Sequence, residues 1–312
     1  MNLQQLEYVI AVDRFKNFSR AAAHCFVTQA TLSAMVKKLE IELEVTIFDR
    51  KKSPVITTDC GTDIIEEAKK ALYHINLIQD YSKTVQDTID GRIRVGIIPT
   101  IANTLLPIIL KPLLLKFPDL IIEVHEITTD NLLKDLETGS LDFGILATPV
   151  EYEQIEENIL YYESMMVYGV HDLKSQYILP EQLNDSKIWL LEEGHCFRNQ
   201  AINICNLDKK EDLPDNLIFE ANSFETLLNI TDEFGGITLI PELFYQSMSL
   251  GRKKRTQTFQ VPLPVREVSL VYYRPYAKLR IINRLTEEIK ELMKGKLVSE
   301  KYRARDLSII GI

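Results

Sequence analysis

The sequence predicts an α+β protein of several domains: a helical N-terminal unit closed by a β-turn-β wing, one long helix, and a two-lobed α/β region. Three observations carry that expectation. Apolar residues in the first part recur at steps of three and four, the helical spacing. The stripe Ile64, Ala68, Leu72, Ile75 and Ile78 then describes one long helix up to Gly91. From Arg92 onward, "RIRVGII", "LIIEVHEI", "LDFGILA", "MMVYGV", "KIWLLE", "GITLIP" and "VSLVYYR" read as strands alternating with helical segments, which predicts layers around a largely parallel sheet. Two smaller lobes with a cleft between them fit these lengths better than one sheet. The boundaries that follow are 1–57, 58–90 and 91–312.

At 312 residues the chain has room for two or three domains, and 46% hydrophobic with 26% charged residues is ordinary for a soluble protein. The net charge of −9 excludes a general polyanion binder while leaving room for a local basic surface. The most apolar run, "TLLPIILKPLLLKF", is broken by Pro107, Lys111, Pro112 and Lys116, so no membrane span is expected. The start "MNLQQLEYVIAVDRF" lacks a signal peptide's basic head and cleavage site, which points to the cytoplasm. Disulfides there are usually transient, catalytic or sensory. No phosphate loop, Ser-His-Asp order or metal-ligand cluster is present, so neither an enzyme nor a bound cofactor or metal is expected.

In the first unit the segment "VTQATLSAMVKKLEIELE" places Thr28 as an N-cap and Leu32, Met35, Val36, Leu39 and Leu43 on one buried side. Opposite lie Ala30, Ser33, Ala34, Lys37 and Lys38, with Thr31 on the flank. Small side chains let such a helix approach the floor of the major groove, where hydroxyls and Gln29 reach base edges and lysines meet phosphates. Upstream, "FSRAAAHCFV" offers Ser19 as a cap and an Ala-rich helix able to pack closely. Downstream, "FDRKKSPVITT" sets Arg50, Lys51 and Lys52 before Pro54, as suits a wing on the sugar-phosphate backbone. This is the logic of a winged helix-turn-helix. The candidate DNA contacts are Gln29, Thr31, Ser33, Lys37, Arg50 and Lys52. An amphipathic surface helix alone would not carry that reading; its register with the preceding helix, wing and long helix does. Residues 1–60 hold eight Lys/Arg against seven Asp/Glu, so binding must depend on where the charges sit and on dimerisation.

Leu32, Ser33, Leu39, Glu40, Leu43, Ile47, Phe48 and Arg50 resemble the winged helix-turn-helix of LysR-type transcriptional regulators. The resemblance runs on through "FPDL", "LETGSLDFGIL" and "GITLIP" to cover essentially the whole chain. It implies a linker helix that pairs subunits and a periplasmic-binding-protein-like, type 2 effector domain, with lobe I at about 91–161 and 267–299 and lobe II at about 162–266. It also implies a homodimer or homotetramer acting on double-stranded promoter DNA and RNA polymerase. Two positions depart from the family: Ala30 replaces its usual proline and Glu44 its usual glycine. A glutamate in a left-handed cap costs about 1 kcal/mol relative to glycine.

The segment "EEGHCFRNQAINIC" places Cys196 and Cys205 nine residues apart. On a continuous helix their Cα atoms stand roughly 13 Å apart along the axis, whereas a disulfide needs them within about 7 Å. The pair is helical or bonded, not both, which reads as a switch. Gly194 ends a strand and "FRNQAINICNL" has helical spacing, with Phe197, Ala201, Ile204 and Cys205 on an apolar face. Cys196 then sits at a helix start, where the dipole, Arg198 and a protonated His195 favour the thiolate. Such settings bring a cysteine from a pKa of about 8.5 to between 3.5 and 7.5. Peroxide converts a thiolate to a sulfenic acid that a second thiol captures.

Within the family, "GHC", Arg198, Gln200, Ala201 and the second cysteine are similar to the hydrogen peroxide-sensing branch. That resemblance implies Cys196 as the peroxide-reacting residue and Cys205 as the resolving one. It assigns Thr100, Thr129, His195 and Arg198 to the peroxide pocket, and a glutaredoxin- or thioredoxin-type thiol reductant as partner. Thr100 and Thr129 have alternative readings as helix caps or inducer ligands. Asn199 and Ile218 stand where relatives often carry aspartate and histidine. Cys25 and Cys60 read as small buried hydrophobes, and His24, His74, His125 and His171 form no constellation. The expected function is a redox-responsive transcriptional activator. The alternatives are a regulator answering a small-molecule inducer in the cleft, and a thiol peroxidase with a DNA-binding appendage.

Overall fold

The computed structural model describes residues 1–50, 52, 54–83, 89–169, 177–183, 186–205, 219, 221–274 and 278–311. Lys51, His171 and Ile218, with the side chains of His74 and Ile78, lie outside the described residues. The chain divides into two compact units: Met1–Thr88 with Pro275–Arg280, and Ile89–Arg274 with Ile281–Ile312.

In the first unit, α1 (Leu3–Phe15) opens with a capping box in which Asn2 and Gln5 satisfy each other's backbone amides. Helix α2 (Phe18–His24) is capped by Asn17, which accepts from the Arg20 amide. The expected cap, Ser19, instead lies inside the first turn and gives its hydroxyl to Gln29. Thr28 caps α3 (Gln29–Leu43) as expected, accepting from the Thr31 amide at 3.1 Å. Glu44 closes α3 at φ 55°, the left-handed cap where glycine would be cheaper. Leu32, Val36 and Leu39 are fully buried and Met35 is half-buried. Leu43, expected in the core, is 37% exposed because the last residue of α3 overruns it. The wing pairs β1 (Phe48–Asp49) with β2 (Ile56–Thr57) antiparallel. The long helix α4 (Asp59–Lys83) seats Ile65 and Ala68 in the core made by α1 to α3, while Ile64 and Leu72 pack at its rim.

The second unit begins β3 (Gly91–Ile97), α5 (Pro99–Lys116), β4 (Leu120–Glu126), α6 (Thr129–Glu137), β5 (Phe143–Thr148) and β6 (Ile155–Tyr168). It continues β7 (Tyr177–Ile178), α7 (Cys196–Cys205), α8 (Phe224–Phe234), β8 (Thr238–Pro241), α9 (Glu242–Ser247), α10 (Leu250–Lys253) and β9 (Thr256–Phe259). It ends β10 (Leu263–Tyr273), α11 (Leu279–Met293) and β11 (Leu307–Ile309). The sheet order is β4-β3-β5-β10-β6-β9-β7, with β11 on β10 and β8 on β6.

The sheet is mixed rather than largely parallel. β3 pairs in parallel with β4 and β5, but β10 runs antiparallel to both β5 and β6. The cause is topological: β6 carries the chain from the first lobe into the second, where it pairs with β8 and β9, and β10 brings it back. An outward and a return strand side by side must oppose each other. "MMVYGV" is the far end of β6, not a separate strand. "KIWLLE" reaches only single bridges, Ile188 to Ile237 and Leu191 to Ala221, because each neighbour offers one residue in register.

Two contacts place the functional elements. A Cβ built at Gly144 would lie 2.4 Å from Leu132 Cδ2, so glycine lets α6, and Thr129 at its start, sit down on the sheet. In the second lobe, Phe197 of α7 meets Phe224 of α8 edge-on at 4.8 Å between ring centroids. Ala201, Ile204 and Cys205 share that core.

Candidate functional site

On the N-terminal unit the face of α3 opposite its core carries the predicted groove-facing residues. Ala30, Thr31, Ala34, Lys37 and Lys38 are exposed, as is Lys52 in the wing, and Ser33 is half-buried. Ser19 Oγ donates to Gln29 Oε1 at 2.7 Å, which orients the first side chain of α3. Arg50 behaves differently from the other candidates. Its guanidinium donates to Glu40 Oε2 at 2.7 Å and Ser33 Oγ at 3.0 Å, and lies 4.8 Å from the Phe18 ring centroid. Glu40 also accepts from the amides of Ile47 and Phe48. Arg50 therefore clasps the wing to α3 while remaining exposed at the surface.

The second constellation surrounds Cys196, the first residue of α7, which is buried with its thiol free. Its sulfur faces the Thr129 hydroxyl, the amides of Ala147 and Phe197, and the guanidinium of Arg266. Burial pushes the thiol up, and this outweighs the lowering by Thr129, Arg266 and the two amides. The lowered pKa expected from the helix start is thus reversed in the resting protein. A helix dipole is worth about 0.3–1 kcal/mol at an exposed site, less than the cost of taking a thiolate wholly out of water.

Arg266, which sequence reasoning missed, is the centre of the pocket. It is 0% exposed, donates to Glu163 Oε2 from Nε at 2.8 Å and Nη2 at 2.7 Å, and reaches Thr100 through Oγ1 at 3.2 Å and the carbonyl at 3.0 Å. Burial raises the Glu163 carboxyl, opposed by Arg266 and by the Leu243 amide that donates to it at 2.8 Å. The available signal was a lone arginine inside the apolar run "VPLPVREVSLVYY", because a charge on a buried strand requires a buried partner. Thr100 and Thr129 thus meet at Arg266 and the Cys196 sulfur. Thr129 Oγ1 is buried without a well-formed hydrogen bond of its own.

His195 and Arg198 flank Cys196 on either side. His195 is buried with Nε2 at 3.8 Å from Glu192 Oε1, and Arg198 Nη1 donates to the Leu191 carbonyl at 2.9 Å. Their contacts brace the loop that enters α7, and Arg266 of β10 acts on the sulfur. Cys205 is buried in the second-lobe core, and burial pushes its thiol up to about 12. Cys25 is half-buried, but Cys60 is exposed, against the expectation of a small core residue, since it lies on the solvent side of the first turn of α4. Among the described residues no group of three ligating side chains could hold a metal, and no helix is long and apolar enough to cross a membrane.

Comparison with known proteins places the chain in a family. Residues 3–62 match the model of the bacterial regulatory helix-turn-helix protein, LysR family, and residues 86–294 match the LysR substrate binding domain. The hydrogen peroxide-inducible genes activator of Haemophilus influenzae is 35% identical over 304 residues, covering 95% of this chain and 99% of that protein. The DNA-binding transcriptional dual regulator OxyR of Escherichia coli K12 is 35% identical over 304 residues, covering 95% and 97%. A full-length OxyR variant from Pseudomonas aeruginosa superimposes with a TM-score of 0.75 at 30% identity, covering 93% of this chain and 98% of that one.

Replacing Arg266 by Met leaves Glu163 buried and unpaired, and a denaturant titration at neutral pH should show a loss of about 3–5 kcal/mol. Adding Glu163→Gln should restore most of that stability, while oxidation of Cys196 by peroxide stays slow in both variants. Cys205 generates a pH prediction. A thiol raised from 9.0 to about 12 contributes stability that is present below pH 9 and lost as pH climbs toward 12. The stability gap between the native chain and Cys205→Ala should therefore narrow by about 1 kcal/mol between pH 8 and pH 10.

Proposed function

The chain belongs to the LysR family of bacterial transcriptional regulators, and we propose that it is a cytoplasmic activator that senses hydrogen peroxide through Cys196 and Cys205. The observation that carries this reading is the pair of buried free thiols at the two ends of one intact helix, α7, with the donors Thr129, Ala147 and Phe197 gathered at the first.

The chemistry follows from those groups. Cys196 gives up its proton under the field of Arg266, and the thiolate attacks one oxygen of hydrogen peroxide. The O–O bond breaks, the sulfur gains OH as a sulfenic acid, and the departing hydroxide takes a proton to leave as water. The Thr129 hydroxyl both donates and accepts, so it orients one peroxide oxygen beside the sulfur. Thr100 Oγ1 already accepts from Arg266 and keeps its proton to donate to the second oxygen. Cys205 then attacks the sulfenic sulfur, forming the disulfide and releasing a second water. The bond requires about 6 Å of approach along the axis, so α7 unwinds. A thiol reductant of the glutaredoxin or thioredoxin type reverses the step by exchange.

The output is double-stranded promoter DNA, with α3 in the major groove and the wing on the backbone. Subunits act as a homodimer or homotetramer, and the changed packing alters the surface offered to RNA polymerase. Switching of this kind needs two discrete packings, and a covalent bond that fits only one of them selects it.

One equivalent of peroxide should give a Cys196 sulfenate or a Cys196–Cys205 crosslink by peptide mass spectrometry, together with a changed footprint on upstream DNA. If Cys196→Ser keeps its induction in cells, the peroxide reading is wrong and a metabolite-responsive regulator replaces it. Duplex affinity should fall linearly in log–log form with salt, and Lys37→Ala should flatten that slope by about one phosphate contact. A titration insensitive to salt would remove the DNA-reading assignment.

A further inference from the structure

The segment after α11 lies beyond the matched family domain, yet it is fastened to the sensor helix. Tyr302, Leu307 and Ile310 pack on the second-lobe core that also holds Phe197, Ala201, Ile204 and Cys205. Strand β11 pairs in parallel with the start of β10, Leu263 to Leu307 and Val265 to Ile309, and the Ile310 amide donates to the Val265 carbonyl at 2.9 Å. The next two carbonyls turn to α7. Gln200 Nε2 donates to Ile310 O at 3.1 Å and Asn203 Nδ2 to Gly311 O at 3.3 Å.

Gln200 and Asn203 are three residues apart, so only a helix sets both amides on one face. Both acceptors lie just past the end of β11 at Ile309, where the chain has left the strand and the two carbonyls reach one face of α7. Gln200 is 0% exposed, so its amide has no water to fall back on when the helix changes. Val265 directly precedes Arg266, which ties the same segment to the strand that carries the pocket cation.

We propose that residues 302–311 form a strap that latches α7 in its helical form, and that closing the Cys196–Cys205 bond ejects the strap from β10. The ejection rests on the redox reading above; the latch does not. Unwinding α7 takes Gln200 and Asn203 off their common face, so the Ile310 and Gly311 carbonyls lose both donors at once. The β10 pairing and the Tyr302, Leu307 and Ile310 contacts then hold the strap, and these side chains pack on a core that α7 itself has left.

Hydrogen exchange on the full-length chain tests both parts. In reduced protein, deleting residues 307–312 should speed amide exchange across 196–205 by tenfold or more. Gln200→Met keeps the volume, removes the donor, and should speed it about threefold. Unchanged exchange across α7 in both variants overturns the latch. In the native chain, one equivalent of peroxide should raise exchange at the Ile310 amide as the disulfide appears. A disulfide that forms while Ile310 keeps its protection overturns the ejection. Loosening of α7 in the variants with no disulfide in any version upholds the latch and sinks the redox reading.

Discussion

The buried ion pair between Arg266 and Glu163 is the constraint on which the sensor pocket depends. These residues face each other directly across the β10–β6 ladder, on the two strands that pass between the lobes. A guanidinium with no exposure is tolerated only when its donors are satisfied, and Glu163 and Thr100 supply the acceptors. The same satisfaction fixes the cation in position, so its field at Cys196 is permanent and needs no reorganisation when a thiolate forms. The raised resting pKa of that thiol is then informative. Burial pushes the thiol up, and the donors around the sulfur are held ready for the moment at which charge develops on it.

Helix α7 supplies the second half of the switch, and the energetics are balanced rather than one-sided. Phe197, Ala201, Ile204 and Cys205 are buried in the second-lobe core, and each large apolar side chain contributes about 1.5–3 kcal/mol on burial. In the proposed switch, unwinding α7 gives up part of that packing at a cost of roughly 5 kcal/mol to the disulfide state. This is equivalent to a reduction potential roughly 100 mV higher, at about 30 mV per 1.4 kcal/mol for a two-electron couple. A bond formed against such a load is easily reduced. Under the proposed mechanism, the packing that makes α7 stable when reduced is what would make the oxidised state reversible, whereas an unstrained structural disulfide would lock.

Local features were legible in the sequence and non-local ones were not. The span of α7, the Thr28 cap, the left-handed Glu44 and the apolar side of α3 all follow from spacing and short-range hydrogen bonding. Thr100 and Thr129 were placed through resemblance, and the structure brings both to the Arg266 pocket. Arg266 itself lies seventy residues beyond Cys196 and meets it only because β10 returns between β5 and β6, a pairing no periodicity announces. The same return strand explains why the sheet was read as parallel: hydrophobic runs identify strands but carry no direction. Ser19 failed as a cap for another reason, and Arg50 gained a structural partner beside its expected one. Each has a side chain able to serve a cap or a phosphate, and each found a nearer partner, Gln29 for one and Glu40 for the other.

The fate of Arg50 bears on how a protein of net charge −9 can grip DNA at all. Arg50 is paired to Glu40 yet stays exposed, so the exposed cations on the α3 face and wing are, among the described residues, Lys37, Lys38, Arg50 and Lys52. Each phosphate neutralised contributes roughly one counterion to the salt dependence, so about four contacts give one subunit only a modest non-specific affinity. Specific binding must then draw on several units engaging one site together, where affinity is multiplied by effective concentration and lost when the geometry does not match. On this reading a weak individual grip is useful. It makes occupancy sensitive to the spacing between units, so a rearrangement that begins at a sulfur atom can be read on DNA without altering a single groove-facing side chain.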